Sequence, residues 1–189
     1  MAWVNGLLAA FGLSASAGLN AYIPLLVVGL LARYTPWVRL NPPWDALAHG
    51  GVLAGLAVLA AVEFFADKVP AVNHLNDALQ TFVRPVAGAI VFAASTQAIA
   101  VPPALALLAG LIVAGSVHAT KAAVVRPAVT TSTAGAANPI VSFLEDVLAL
   151  LTSLVALLIP ALMAALAIVV LMAWLSRRRS RAAGPRGAG

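Results

Sequence analysis

The stretch Thr130–Asp146, TTSTAGAANPIVSFLED, decides how this chain is read. Four consecutive hydroxyl residues, Thr130, Thr131, Ser132 and Thr133, precede a run of small residues, an Asn138-Pro139 pair and two adjacent acids, Glu145 and Asp146. Such a composition breaks helices, and it stands in a chain that is otherwise apolar. A weaker counterpart lies near the start, Ser14–Pro24, SASAGLNAYIP. In both, hydroxyls precede Ala-Gly, an asparagine follows (Asn20, Asn138), and then a proline (Pro24, Pro139). Arg84-Pro85 and Arg126-Pro127 form a second matching pair. Irregular backbone at membrane depth is tolerated where it is buried in protein or lines a water-filled cavity, and repeat-built transporters place broken helices in corresponding positions. The expectation is an internal repeat, with two discontinuous or re-entrant segments meeting near the centre of the protein. Plain close packing of helices through small and hydroxyl residues is the competing explanation.

Composition sets the solvent. The 189 residues are 62% hydrophobic and 9% charged, against about a quarter charged in soluble domains. Too little charge remains to coat a water-facing surface, so lipid must surround most of the chain. There is no cysteine, which excludes disulfides, thiolate catalysis, iron–sulfur clusters and Cys-ligated zinc. The net charge of +5 comes mainly from Arg177, Arg178, Arg179, Arg181 and Arg186. Directly after an apolar helix, these arginines read as a cytoplasmic anchor on anionic lipid and not as a nucleic-acid contact. The division is a single transmembrane domain, 1–176, and a basic, disordered cytoplasmic tail, 177–189. The N-terminus has no basic n-region and does not read as a removable signal peptide.

A membrane-crossing helix needs about 20 apolar residues. Residues 3–13 are too short to span and are expected to be re-entrant or interfacial, unless 3–34 forms one kinked span. The loop RYTPWVRLNPPWD, 33–45, carries the prolines and aromatics of an interfacial segment. Residues 67–84 place Val72, Leu75, Leu79, Phe82 and Val83 at helical spacing among polar residues, which predicts an amphipathic helix on the membrane surface or dipping into a cavity. Pro160 is expected to permit a tight turn. The spans fall at 19–34, 46–66, 85–100, 103–123, 139–158 and 160–176, about six in all. This is an all-α polytopic membrane protein of the inner (plasma) membrane with its C-terminus cytoplasmic. Lys68, Arg84, Lys121 and Arg126 then fall on the cytoplasmic side, while Arg33 and Arg39 fall outside, against the positive-inside rule. Gly51 and Gly55 form a GxxxG pair, one candidate surface for a homo-oligomer.

Charges inside a membrane are costly and are paired or functional. Glu63, Asp67, Lys68, Asp77, Arg84, Lys121 and Arg126 can form a charged cytoplasmic mouth. Lys68 and Arg84 are candidate partners for Glu63 and Asp67, and Lys121 and Arg126 for Glu145 and Asp146. Interfacial salt bridges that merely orient helices explain any one of them equally well. A cavity lined by Ser14, Ser16, Asn20, Thr131, Ser132, Thr133 and Asn138, with Glu145 and Asp146 nearby, is the candidate binding site. No catalytic motif is present, and no metal or other cofactor is called for. Glu63, Asp67, His74 and Asp77 form a loose carboxylate–histidine set that could hold a divalent metal in a lipid-phosphate enzyme.

Three segments, SAGLNAYIPLL (16–26), FADKVPAVNHLNDALQTFVRPVAGA (65–89) and TKAAVVRPAVTTSTAGAANPIVSFLED (120–146), resemble an uncharacterised bacterial integral-membrane family, domain of unknown function 4126. The resemblance implies a membrane protein of this size and supplies no activity and no binding residues. From the residues themselves, the leading expectation is a small transporter or channel-like protein for an anionic solute or lipid phosphate. The alternatives are the lipid-phosphate enzyme and a non-transporting scaffold that docks through 70–84.

Overall fold

A computed structural model describes residues 2–66, 70–96 and 99–182. Its helices are α1 (Ala2–Leu19), α2 (Tyr22–Tyr34), α3 (Gly50–Ala66), α4 (Pro70–Thr96), α5 (Pro103–Thr120), α6 (Arg126–Thr133) and α7 (Asn138–Ala182). A 3-10 helix, Trp44–Ala48, precedes α3, and a π turn, Lys121–Val125, joins α5 to α6. Three stretches, Asn76–Thr96, Pro103–Thr133 and Asn138–Ile159, are long and apolar enough to cross a membrane, and Val4–Leu19, Tyr22–Tyr34 and Gly50–Ala66 are shorter apolar helices. The chain is thus an apolar, all-helical membrane protein.

The first helix corrects the sequence reading. Helix α1 runs 18 residues without interruption through Ser14, Ser16 and Gly18, about 27 Å at 1.5 Å per residue. It is neither short nor broken at Ser14. The break comes at Asn20-Ala21, where the Asn20 Oδ1 accepts from the Tyr22 and Ile23 N–H groups at 3.0 Å each and starts α2. Helix α1 sits at the centre, against α4, α5 and α7. Its Leu13 and Ala17 share a core with Leu25, Val28, Ala87, Val91, Ala114 and Ala156. Close approach is possible because Gly88 and Gly110 face each other where α4 crosses α5. A Cβ on Gly88 would meet the Ala114 Cβ and the Gly110 carbonyl.

The amphipathic stretch is also placed differently. Helix α4 runs from Pro70 through Pro85 to Thr96 as one element; before Pro85, Leu79 is 59% and Phe82 76% exposed, while Val91 and Phe92 beyond it are buried. Gln80 and Arg84 are buried at 3% and 0%. At Leu79 and Phe82 the apolar side thus faces outward and at Gln80 and Arg84 the polar side faces protein, because in a bilayer the apolar face seeks lipid and the polar face seeks protein. The side chains of Val72 and Leu75 lie outside the described residues, and Val83 packs against the core. The expected turn at Pro160 is absent, since α7 continues through it and on to Ala182. Membrane helices tolerate such a proline where neighbouring groups satisfy the freed carbonyl. Residues 177–182, expected to be disordered, belong to this helix, and the rest of the expected tail, 183–189, lies outside the described residues.

Consecutive helices reverse direction except α5 and α6, which run on through the π turn. The ends of α1, α3 and α5 and the beginnings of α2, α4 and α7 gather at one polar end, as the contacts between Glu63 and Arg84 and between Asn20 and Asp146 show. At the opposite end, Ala9, Val38, Leu40, Ala94 and Leu157 line a shared groove. The Arg-rich part of α7 lies beyond this second end. It does not share a side with Lys121 and Arg126, as the expected Pro160 turn had implied.

Candidate functional site

Four helices each supply one polar stripe to the polar end. On α4, Asp77, Gln80, Thr81 and Arg84 recur at intervals of three and four, so they share a face. On α7, Ser142, Glu145, Asp146, Ala149 and Ser153 do the same, and all five are buried. Helix α3 contributes Glu63. The fourth stripe depends on the π turn. In a regular α-helix Arg126 would point about 140° away from Lys121, five residues earlier. Here the Arg126 N–H bonds the Lys121 carbonyl, which widens the turn by one residue. As a result His118, Lys121 and Arg126 are all buried while 122–125 are exposed. Pro127, which cannot donate to a helical carbonyl, follows directly. Such π turns are rare and recur at functional sites.

The charges form two linked groups. In the first, the Glu63 Oε1 lies 2.8 Å from the Arg84 NH2 and 3.3 Å from its Nε. The Arg84 NH1 is 3.2 Å from the His118 Nδ1, and the His118 Nε2 is 3.1 Å from the Thr81 hydroxyl. That hydroxyl donates to the Asp77 carbonyl at 2.9 Å. The guanidinium can only donate, so Nδ1 accepts, Nε2 carries the proton, and His118 sits neutral in the chain. In the second group, the Glu145 Oε2 is shared, 2.7 Å from the Lys121 Nζ and 3.5 Å from the Arg126 NH2. Lys121 also donates to the Leu19 carbonyl at 3.4 Å, where α1 ends. Arg126 donates to the Ser142 hydroxyl at 2.9 Å and faces the Asp77 Oδ2 at 4.0 Å. Asn20 donates to the Asp146 Oδ1 at 3.0 Å. Three buried cations, Arg84, Lys121 and Arg126, thus stand against three buried carboxylates, Glu63, Glu145 and Asp146.

The candidate cavity residues are divided by this geometry. Asn20, Glu145 and Asp146 join the charge network. Ser14 and Ser16 do not: the Ser14 Oγ lies 3.0 Å from the Gly88 carbonyl and 2.9 Å from that of Gly110. The Ser16 Oγ donates to the Ala149 carbonyl at 2.7 Å and sits 2.8 Å from the Ser153 hydroxyl. Both tie helices together at close range. Thr131, Ser132 and Thr133 are exposed at the α6–α7 hairpin and bond to carbonyls of their own helix, those of Pro127, Ala128 and Val129. Asn138 pairs with Thr130 across the turn. The two hydroxyl-rich segments therefore do not meet, because α5, the π turn and α6 run on continuously. That carries Thr133 about 10 Å beyond Arg126. What meets the Asn20 break is the acidic end of the stretch, Glu145 and Asp146.

Of the charged mouth, Glu63, Asp77, Arg84, Lys121 and Arg126 come together. Asp67 and Lys68 lie outside the described residues, as does the side chain of His74. The pairings of Glu63 with Arg84 and of Lys121 and Arg126 with Glu145 are as the sequence suggested, whereas Asp146 turns to Asn20. Sequence reasoning overlooked Ser142 and Thr81. Each is three or four residues from an acid on its own helix, and that spacing was the available signal. Among the described residues, no group of three His, Asp or Glu side chains is arranged to hold a metal. Glu63 and Asp77, two of the four residues suggested for that role, face arginines.

No curated protein and no solved structure matches the chain. The profile of one family, described as domain of unknown function DUF4126, matches residues 7–179. With the match running from α1 into α7 and taking in every residue of the charge network, the chain belongs to the DUF4126 family.

Proposed function

We propose that this protein is a small integral-membrane transporter of a phosphate-bearing anion, working through exchange at Lys121 and Arg126. The observation that carries the reading is the shared position of Glu145, one of whose oxygens serves both cations. A ligand phosphate offers the same charge and more acceptor oxygens than a carboxylate. It can take over both cations while Glu145 swings aside, and Glu145 can return when the ligand leaves. The π turn supports this, since it brings Arg126 to Lys121 and is an element with a ready alternative register. The fully buried Glu63–Arg84 pair serves as the fixed neighbour.

The same reading assigns a membrane orientation. Arg33, Arg39, Arg177, Arg178, Arg179 and Arg181 fall at the end of the bundle away from the network, so the positive-inside rule puts that end in the cytoplasm. The two arginines that ran against the rule then obey it. The network lies toward the outer leaflet of the plasma membrane. The test is transport by the purified protein in liposomes, using radiolabelled inorganic phosphate and a headgroup-labelled short-chain phosphatidylglycerol. Movement of at least one above protein-free liposomes, lowered tenfold or more in Lys121→Met, is expected. Folded wild-type protein that moves neither refutes the reading.

A further inference from the structure

A groove of about 540 Å³ runs down the side of the bundle between α5 with its π turn and α7, a volume in the roughly 300–1,000 Å³ range of small-molecule sites. Its walls include Leu19, Val117, Val125, Val141, Leu144 and Leu148, and its lining also includes Lys121 and Glu145. Val125, Leu144 and Leu148 are exposed large apolar residues, so the groove opens where lipid must lie. A buried ion pair on the floor of an oily, laterally open groove is an unusual combination. We propose that this groove binds one acyl chain of an anionic phospholipid drawn from the surrounding leaflet, with the lipid phosphate placed on Lys121. The proposal rests on the anion-exchange reading and names the ligand class for it.

Three observations carry it. Depth is the first: Lys121 stands 18 residues after Pro103, about 27 Å along the helix, close to the roughly 30 Å thickness of the hydrocarbon core. If Pro103 marks one interface, Lys121 lies at headgroup level of the other. The second is polarity along the groove. Val117 lies one turn from Lys121 toward the bilayer centre, and Leu148 lies about one turn from Glu145 in the same direction. Val125 and Val141 lie about one turn on the other side, so the ion pair sits part-way along the apolar walls, and the part toward the bilayer centre is the one that takes an acyl chain hanging from the phosphate. The third is the donor inventory. Lys121 is 4% exposed and carries three ammonium donors, for which the Glu145 carboxylate and the Leu19 carbonyl are the acceptors found. A phosphate oxygen supplies the third on arrival, and Arg126 stands beside it to join Lys121 on the phosphate as Glu145 swings aside.

The experiment uses the full-length protein in detergent micelles, with lipid binding followed by native mass spectrometry. The probes are dipalmitoyl phosphatidylglycerol and dipalmitoyl phosphatidylcholine, and inorganic phosphate uptake is measured on the same variants in liposomes. Phosphatidylglycerol is expected to bind at least tenfold more tightly than phosphatidylcholine, and Lys121→Met to abolish that preference. Because Lys121→Met also deprives Glu145 of a counter-ion and could unfold the chain, Leu148→Trp is the second arm. It fills the groove from an exposed wall and leaves every ion pair in place. Leu148→Trp should weaken phosphatidylglycerol binding at least tenfold while phosphate uptake persists. Equal binding of the two lipids, or wild-type lipid binding in Leu148→Trp, overturns the lipid site. So does a Leu148→Trp protein that changes from dimer to monomer, which would assign the groove to a second copy of the chain. Phosphate uptake that is lost in Lys121→Met with no lipid preference in any variant removes the lipid claim alone. Folded Lys121→Met that behaves as wild type with every probe removes the anion-exchange reading itself.

Discussion

Replacing Glu63 with leucine should destabilise the protein by about 3–5 kcal/mol, the cost of leaving one member of a buried ion pair without its partner. Both side chains of the pair are at 0% exposure, with the closest approach at 2.8 Å. The guanidinium of Arg84 would keep His118 as a neighbour, but His118 is neutral and supplies no charge. Helix α3 leans mainly on α2 and the 3-10 helix and touches α4 lightly, so Glu63 is its chief polar tie to the bundle. Glu63→Gln keeps the shape and one acceptor, and should cost roughly 1–3 kcal/mol, the value of a hydrogen bond to a charged group. The double variant Glu63→Leu/Arg84→Met replaces the pair with apolar volume and should recover to within about 2 kcal/mol of wild type, because apolar replacement of buried pairs is often neutral. Equilibrium unfolding in mixed micelles, followed by far-UV circular dichroism, gives each value and the coupling energy of the cycle. A Glu63→Leu cost below about 1 kcal/mol, or a double variant no more stable than Glu63→Leu, would refute the argument.

Other outcomes follow from the same contacts. Gly88→Ala should lower stability by about 1–3 kcal/mol through overpacking at the α4–α5 crossing, read as a drop in melting temperature. Ser16→Ala removes a donor to the Ala149 carbonyl and should cost about 1 kcal/mol in the same assay. The triple change Thr131→Ala/Ser132→Ala/Thr133→Ala should stay within about 0.5 kcal/mol of wild type and leave transport intact, since exposed hydroxyls bonded to their own helix contribute little; a large transport loss would return these residues to the site. Ala134 holds the left-handed conformation at φ 50°, so Ala134→Gly should stabilise the hairpin by up to about 1 kcal/mol. Since the chain has no cysteine, Ser132→Cys is a clean topology probe. It should react with a membrane-impermeant maleimide from the outside of intact cells, and a C-terminal fluorescent protein should fold and fluoresce in the cytoplasm. Labelling only after lysis would reverse the assigned orientation.

The fold class was legible because composition alone demands lipid, and the loop at 33–45 and the Pro102-Pro103 turn carry strong local punctuation. The ion pairs Glu63–Arg84 and Lys121–Glu145 were legible because a charge in an apolar run has few places to go. Three elements were not. Pro85 and Pro160 read as boundaries, yet both lie inside helices, since a bilayer bundle can satisfy the carbonyls they free and water-based rules overstate their effect. Residues 67–84 read as a helix on the membrane surface or dipping into a cavity because amphipathicity reports a boundary between polar and apolar surroundings without saying which of them is water. Ser14, Ser16 and Gly18 read as a break because their weak helix propensity is intrinsic to the residues. What keeps α1 continuous is supplied from outside it, by the carbonyls of Gly88, Gly110 and Ala149.

The hydroxyl-rich stretch illustrates how a correct feature can be assigned the wrong neighbour. Thr130–Thr133 and Glu145-Asp146 are close in sequence and opposite in role, because the turn at 134–137 folds α7 back along α6. The hydroxyls satisfy their own helix end and close the hairpin through Asn138, while the acids return one level lower to meet Asn20, Lys121 and Arg126. The π turn adds Arg126 to that level beside Lys121, and a proline stands two residues after the turn, visible in the sequence as Arg126-Pro127. The Arg84-Pro85 pair carries the same dipeptide without a π turn and brings Arg84 to Glu63 and His118. The two Arg-Pro sites therefore differ in that the second arginine joins a lysine at a shared carboxylate. A chimera that copies residues 81–89 onto 123–131 should keep the helix and lose the second kind of site.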